Sequence, residues 1–174
     1  MAEELVDRES IHRELDQAVT VLRQLLADAS PAGLRQGTDG TRWTNEQLLF
    51  HMLFGYLIAR TLLPMVRAFS RLPPTVSEEF ARALDASSAL FHVVNYLGSC
   101  GGALVYNHDR IGSKADRVIA GLHRRLDAES EADLRRGMHF PPRWDPYFQD
   151  WMTVADVYRY ATQHFQAHRG QLTL

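Results

Sequence analysis

The segment Thr153–Gly170 reads TVADVYRYATQHFQAHRG and predicts a long amphipathic helix near the end of the chain. Thr153 and Asp156 stand in the spacing of a capping box, in which each side chain satisfies a free backbone N–H group of the other residue. Steps of three and four residues then predict one inward stripe on the helix: Val157, Ala161, His164, His168 and Gln171. Two histidines are therefore predicted to lie on one inward face, one helical turn apart.

A second helix of the same design is predicted to begin after Thr44, which has the capping-box spacing with Gln47. Its inward stripe is apolar: Leu48, Met52, Gly55, Ala59 and Leu62. His51 falls within the same three- and four-residue steps, so its imidazole is predicted to point inward as well. Pro64 is expected to kink or end this helix.

The remaining pattern predicts two further main helices and a crossover. Apolar residues recur at helical spacing in Glu3–Ala29 and again in Ser113–Ala128. Between the second and third main helices, Ser77–His108 is expected to be a long, partly helical crossover. It should bend or break at GSCGG, residues 98–102, because glycine is unfavourable inside a helix. His139–Asp150 predicts an aromatic, proline-rich loop, and no segment predicts a convincing strand. The predicted fold class is all-α, a four-helix bundle with one long crossover.

The composition fits a single globular domain over residues 1–174. The formal net charge is −2, so neither sign dominates and we expect no binding to nucleic acid or to an anionic membrane surface. The N-terminus lacks the pattern of a signal peptide. The most apolar run, Leu48–Val66, is interrupted by a histidine, an arginine and a proline. We therefore expect no membrane span and a cytoplasmic location.

The inward histidines predict a metal centre. The spacing of His164 and His168 is the one by which the two histidines of a His-Glu-x-x-His helix share a zinc ion. The sequence HFQAH lacks the glutamate that acts as general base in that motif, so a protease of that kind is not indicated. Uncompensated imidazoles are unfavourable in a bundle interior, and binding of one ion by His51, His164 and His168 is one way to satisfy them. Hydrogen-bonded core histidines are the alternative interpretation.

Two segments resemble the DinB/YfiT-like superfamily of metal-binding four-helix bundles. They are RWTNEQLLFHM at residues 42–52 and WDPYFQDWMTVADVYRYATQHFQAHRGQL at residues 144–172. In that family a tryptophan-capped second helix carries the first metal histidine, and a His-x3-His pair on the last helix supplies the others. The resemblance thus implies His51, His164 and His168 as the metal ligands.

The resemblance also implies what such a centre could do. Three protein ligands leave positions on the metal for water or substrate. Imidazole ligands suit zinc and nickel, and they can also bind iron. Some relatives resemble metal-dependent hydrolases, and others are transferases or isomerases that use a low-molecular-weight thiol such as bacillithiol or mycothiol. The basic residues are almost all arginine, which is typical of GC-rich bacteria and favours mycothiol.

We therefore expect a thiol-dependent S-transferase or hydrolase that acts on a small molecule, with no catalytic residue assigned from the sequence. Tyr160 and Gln163 are expected near the ligands. A non-catalytic metal-binding or stress-related protein is the alternative function. Related bundles often form homodimers, and the resemblance implies the same assembly for this chain, although the sequence itself does not require it.

A third interpretation starts from the dipeptide His108-Asp109, because helical phosphohydrolases bind metal through a His-Asp pair. His92 and Asp116 would supply the further ligands. A bare His-Asp pair is frequent by chance, and GSCGG lies just before it, so the three-histidine centre is the stronger hypothesis.

The cysteine and the tryptophans are expected to be structural. Cys100 is the only cysteine, so it forms no intramolecular disulfide. Its small neighbours favour an inert buried thiol over the alternative, a nucleophile. The tryptophans are expected to be hydrophobic plugs at the bundle ends, with the lining of a ligand pocket as the alternative: Trp43, Trp144 and Trp151.

Overall fold

A computed structural model describes residues 6–174 and shows an almost wholly helical chain. In chain order the elements are α1 (Arg8–Asp28), α2 (Pro31–Arg35), α3 (Asn45–Phe69), α4 (Pro74–Ala86), α5 (Ser88–Val105), α6 (His108–Asp127), α7 (Glu131–Leu134), β1 (Gly137–His139), β2 (Trp151–Thr153) and α8 (Val154–Arg169). The predicted start of the first helix at Glu3 lies outside the described residues.

The predicted four-helix bundle is confirmed, with α1, α3, α6 and α8 as its main helices. Helix α3 packs against α8, and α1 packs against α6 around one apolar core. Both predicted capping boxes are present, at Thr44 with Gln47 and at Thr153 with Asp156. These caps set where α3 and α8 begin, and thereby which faces of the two helices point inward.

Helix α3 continues through Pro64 to Phe69, so the predicted end of the helix at that proline is wrong. Proline has no N–H group to donate to the carbonyl four residues earlier, which here is that of Arg60. The guanidinium of Arg125 on α6 donates to this carbonyl oxygen at 2.9 Å instead. A neighbouring helix therefore satisfies the acceptor that the proline leaves free.

The crossover is helical over most of its length, in α4 and α5, and the expected break at residues 98–102 is also wrong. A Cβ atom on Gly102 would overlap the ring of Phe50 on α3. The glycine therefore lets α5 approach α3 closely, and this packing outweighs the helix-breaking tendency of the sequence. Helix α6 begins at His108, five residues before the predicted start.

Two short strands were not predicted. β1 and β2 pair antiparallel, with Met138 opposite Met152. Strands of three residues are too short to produce a recognisable alternation in the sequence. They join the ends of the loop 140–150, and so fix this loop against the start of α8.

Helices α3 and α5 are each long and apolar enough to cross a membrane, which corrects the expectation that no segment is. Helix α3 packs in the bundle core, and 56% of its most apolar 18-residue stretch is buried inside the protein. Core helices of soluble proteins meet the same test, so this arrangement is compatible with a soluble bundle. Only 17% of the corresponding window of α5 is buried, and its outward face is apolar: Leu90, Val93, Val94, Leu97, Leu104 and Val105.

Candidate metal centre

The three predicted histidines meet between α3 and α8. One ring nitrogen from each of His51, His164 and His168 lies within 4.8 Å of the other two. The ring centroids are 4.5 to 4.8 Å apart. His51 and His164 are only 3% and 4% exposed, and His168 is half-buried. Among the described residues this is the one cluster of histidine, cysteine and acidic side chains with the geometry to hold a metal ion.

The hydrogen bonds of His51 determine its tautomer. Its Nδ1 lies 2.9 Å from Oγ of Ser99 on α5. Ser99 uses its own hydroxyl proton to donate to the carbonyl oxygen of Asn95, at 2.8 Å. The proton between His51 and Ser99 must therefore be on Nδ1, which leaves Nε2 of His51 as an acceptor with a free lone pair.

His164 has the same tautomer for a different reason. Its Nδ1 lies 3.0 Å from Oδ2 of Asp145, and the same oxygen accepts a hydrogen bond from the hydroxyl of Tyr160 at 3.1 Å. A carboxylate only accepts, so Nδ1 of His164 is the donor. Nε2 of His164 is buried and has no hydrogen-bond partner. A buried imidazole nitrogen without a partner is costly, and a metal ion would satisfy it.

His168 completes the set. Its Nδ1 lies 2.6 Å from Oε1 of Gln171, an acceptor one turn further along the chain. Each of the three rings thus donates through Nδ1 to a different group, and Nε2 is the free nitrogen of each. This arrangement is typical of metal-binding histidines, whose second nitrogen is held by an outer hydrogen-bond partner. The residues present therefore fit a divalent cation.

The electrostatics favour neutral rings at His51 and His168. Burial, and then the neighbouring His164 and His168, lower the pKa of His51 to about 2. Burial and His164 also lower the pKa of His168. Burial acts to raise the pKa of Asp145, but the hydrogen bond and charge of His164 outweigh it and the pKa is lowered. At neutral pH the buried ring of His51 is therefore an unprotonated ligand, and Asp145 is an anion beside the centre.

An open cavity reaches the centre. Its empty space, the opening to solvent included, is about 930 Å³, and all three histidines line it. Trp43, which stacks on His51 with ring centroids 4.2 Å apart, forms one wall, and Trp144 lies on another. These two tryptophans therefore line the site. Trp151 is 42% exposed and packs over Gly137. A metal ion bound here would face solvent on the cavity side.

Residues 14–172 match the sequence pattern of the DinB superfamily. The match covers most of the chain and includes all three histidines. The chain belongs to the DinB superfamily. No curated protein and no solved structure matches it. Membership in this superfamily and the three-histidine cluster together fit a metal-binding DinB-like protein.

The structure of this DinB-superfamily chain adds partners that the sequence did not suggest. Asp145 and Ser99 hold two of the histidine rings, although the first belongs to a loop and the second to the crossover. Asp145 follows Trp144 within the segment that carries the family resemblance, which is the signal that could have found it. Tyr160 lies close to the centre as expected, through Asp145. Gln163, the other residue expected near the ligands, has an exposed side chain on α8.

The His-Asp alternative is not supported in this DinB-like bundle. Nε2 of His108 is 2.7 Å from the carbonyl oxygen of Leu26, and the side chain of Asp109 is 84% exposed. Asp116 forms an ion pair with Arg23. His108 and Asp116 therefore have structural partners of their own, and among the described residues these side chains form no group that could hold a metal ion.

Proposed function

We propose that this protein is a metal-dependent enzyme that binds one divalent ion through Nε2 of His51, His164 and His168. It would act on a small molecule as a thiol-dependent S-transferase or as a hydrolase. The observation that carries the proposal is the set of three Nδ1 hydrogen bonds, which leaves three free Nε2 atoms beside an open cavity. A closed structural site would have four protein ligands and no access for a reactant.

The bound ion would supply Lewis-acid chemistry, by lowering the pKa of a water or by holding a thiol as the thiolate. The protein's own residues hold the ligands in place. Asp145 orients the ring of His164 and places a negative charge next to it, while Ser99 and Gln171 orient the other two rings. Imidazole ligands favour zinc or nickel, with iron as a further option.

A thiol such as mycothiol or bacillithiol would enter from the open side. The cavity there shares His92 and Gln171 with a neighbouring, more open cavity, to which Arg42 adds a positive charge. Such a surface suits a polar, sugar-like or anionic co-substrate better than the apolar interior does. This supports the transferase function over a centre that serves only to stabilise the bundle.

Metal analysis together with turnover assays tests the proposal. The purified protein, stripped with a chelator, is titrated with zinc, nickel and iron(II), beside the variants His51→Ala and His92→Ala. His92 is exposed and near the same cavity, so its variant is the matched control. We expect one ion per chain in the wild type and in His92→Ala, and none in His51→Ala.

Turnover is then measured with the metal restored, using 1-chloro-2,4-dinitrobenzene with a panel of thiols and 4-nitrophenyl acetate without thiol. Metal-dependent turnover in either assay that is lost in His51→Ala supports an enzyme. Full turnover in His51→Ala contradicts it. Stoichiometric metal binding that stabilises the fold, with no turnover of either substrate class, would identify the non-catalytic alternative.

A further inference from the structure

We infer that the substrate of this centre carries an uncharged apolar group, an acyl chain or an aryl ring, which binds in a second, apolar cavity beside the histidines. The inference rests on the proposed metal function and adds the substrate class to it. The empty space of this apolar cavity, the opening to solvent included, is about 500 Å³, and both His51 and His164 are in its lining. It therefore shares His51 and His164 with the open cavity, whereas half-buried His168 is not in its lining.

The apolar cavity runs along helix α3. From His51 it follows the wall formed by Gly55, Ile58 and Leu62, which lie on successive turns of one helix face. His51 and Leu62 are eleven positions apart, which corresponds to roughly 16 Å along a helix axis. The cavity is thus long enough for an extended group that starts at the metal and points down the bundle.

The opposite wall is aromatic. Phe91 on α5 stacks on Trp144 with ring centroids 4.1 Å apart, and Phe148 lies beside them. Nε1 of Trp144 donates to the carbonyl oxygen of Leu84 at 2.7 Å, so the one polar atom of this indole is already engaged. The side of the cavity away from the histidines therefore offers ring faces and methyl groups to a ligand, which favours apolar contact.

The charge distribution excludes an ionic group from this cavity. Asp145 is the one carboxylate in its lining, and both of its oxygens are in use. Oδ2 accepts from His164 and Tyr160, and Oδ1 accepts from the backbone N–H of Tyr147 at 2.9 Å. No lysine or arginine is among the described residues of the lining. An anionic substrate group would be buried there without a counter-ion, and a cationic group would have to compete for Asp145 with the donors that its two oxygens already serve. Burial of either charge is therefore unfavourable.

The open side of the centre has the opposite character. The guanidinium of Arg42 lies over the ring of Tyr96, 4.5 Å from its centroid, and Nε1 of Trp43 is a buried donor with no partner. Asn95 lines the apolar cavity and also the open cavity at the centre. A polar reactant and the apolar group of the substrate would therefore reach the metal from different sides, with Asn95 at the junction. Separate routes for the two reactants would explain why the open cavity has polar side chains in its lining and the adjoining cavity is almost wholly apolar.

The test compares two metal-binding probes on the zinc-loaded protein, acetohydroxamate and hexanohydroxamate. They share the metal-binding group and differ by four methylenes. Burial of one methylene is worth about a threefold to fourfold change in Kd, so we expect hexanohydroxamate to bind about a hundredfold more tightly by calorimetry. Equal affinities would overturn the inference while leaving the metal centre intact.

Two variants locate the gain. Leu62→Trp fills the end of the cavity far from the metal. It should reduce the affinity advantage of hexanohydroxamate over acetohydroxamate to about tenfold or less, while the affinity for acetohydroxamate itself stays the same. Thr61→Trp adds the same side chain at the neighbouring, exposed position and should keep the full gain. If Leu62→Trp retained the hundredfold difference, the chain would be bound elsewhere and the inference would be wrong.

A metal-free measurement separates the cavity from the metal. Toluene is added to the stripped wild-type protein, and methyl resonances are followed by ¹H–¹³C NMR. We expect shifts at Ile58 and Leu62 but not at exposed Leu72. No shift at saturating toluene would overturn the inference. Shifts with no binding of either hydroxamate after zinc treatment would overturn the proposed metal centre, and with it the role of the cavity in holding a metal-bound substrate.

Discussion

Gly55 on α3 faces the imidazole of His164 on α8 so closely that a Cβ atom at position 55 would lie 2.7 Å from Cδ2 of the ring. Real Cβ atoms do not approach another carbon to that distance. His164 can therefore reach the centre only because residue 55 has no side chain. The requirement comes from the packing of the two helices and not from the backbone conformation, since Gly55 lies within a regular helix.

Gly55→Ala should displace His164 and weaken the metal centre. We expect zinc to bind about tenfold more weakly, and the metal-free protein to lose about 1–3 kcal/mol of stability through overpacking. Zinc titration and urea unfolding measure the two effects. Gly98→Ala is the control, because its Cβ would enter open space within α5, and it should stabilise the protein by about 0.5–1 kcal/mol. Unchanged zinc affinity in Gly55→Ala would contradict the packing argument.

Asp145→Asn should reduce metal affinity about tenfold to a hundredfold, because the substitution removes the negative charge that holds the ring of His164. Competition with a chelator of known affinity measures the change. Asp150→Asn is a matched control, since Asp150 also contacts a histidine, His139, at 3.1 Å but lies away from the cluster. Equal affinities of the two variants would show that Asp145 does not act through His164.

The stability of the metal-free protein should fall as the pH drops below about 6.5. In the unfolded chain His51 takes up a proton near that pH, whereas in the folded protein its pKa is about 2. Between these values the unfolded state binds more protons, so this group lowers the free energy of unfolding by about 1.4 kcal/mol per pH unit. The lowered pKa of His168 acts in the same direction.

Urea unfolding in the presence of a chelator, from pH 7.5 to 4.5, checks this dependence. His51→Leu should show a shallower loss of stability than the wild type, and the exposed control His92→Gln should follow the wild type. Subtraction of the two curves removes the contribution of the carboxylates. Parallel curves for wild type and His51→Leu would mean that His51 becomes protonated in the folded protein.

Gly102→Ala should loosen the crossover helix. The added methyl group would overlap the ring of Phe50, so we expect a loss of about 1–3 kcal/mol and faster amide exchange along α5. Gly101→Ala adds the same methyl group one position earlier, into open space, and should be neutral or stabilising. Because Ser99 on the same helix holds His51, Gly102→Ala should also weaken zinc binding.

The fold class and the three inward histidines could be predicted because they depend on local rules. The capping residues Thr44 and Thr153 determine where two helices begin, and a repeat of 3.6 residues then determines which side chains share a face. The errors at Pro64 and at residues 98–102 have one cause. Each is a local preference that a contact with a distant residue outweighs, Arg125 in the first case and Phe50 in the second.

By itself, the sequence determined the helices, the inward direction of His51, His164 and His168, and so the bundle as a whole. Only the tertiary structure decided which groups hold each ring: Ser99 for His51 and Asp145 for His164 lie 48 and 19 residues away along the chain. Periodicity describes neighbours within one helix, while hydrogen bonds between elements depend on how those elements pack. The two cavities beside the centre also arise from that packing, since their walls come from several separate elements of the chain.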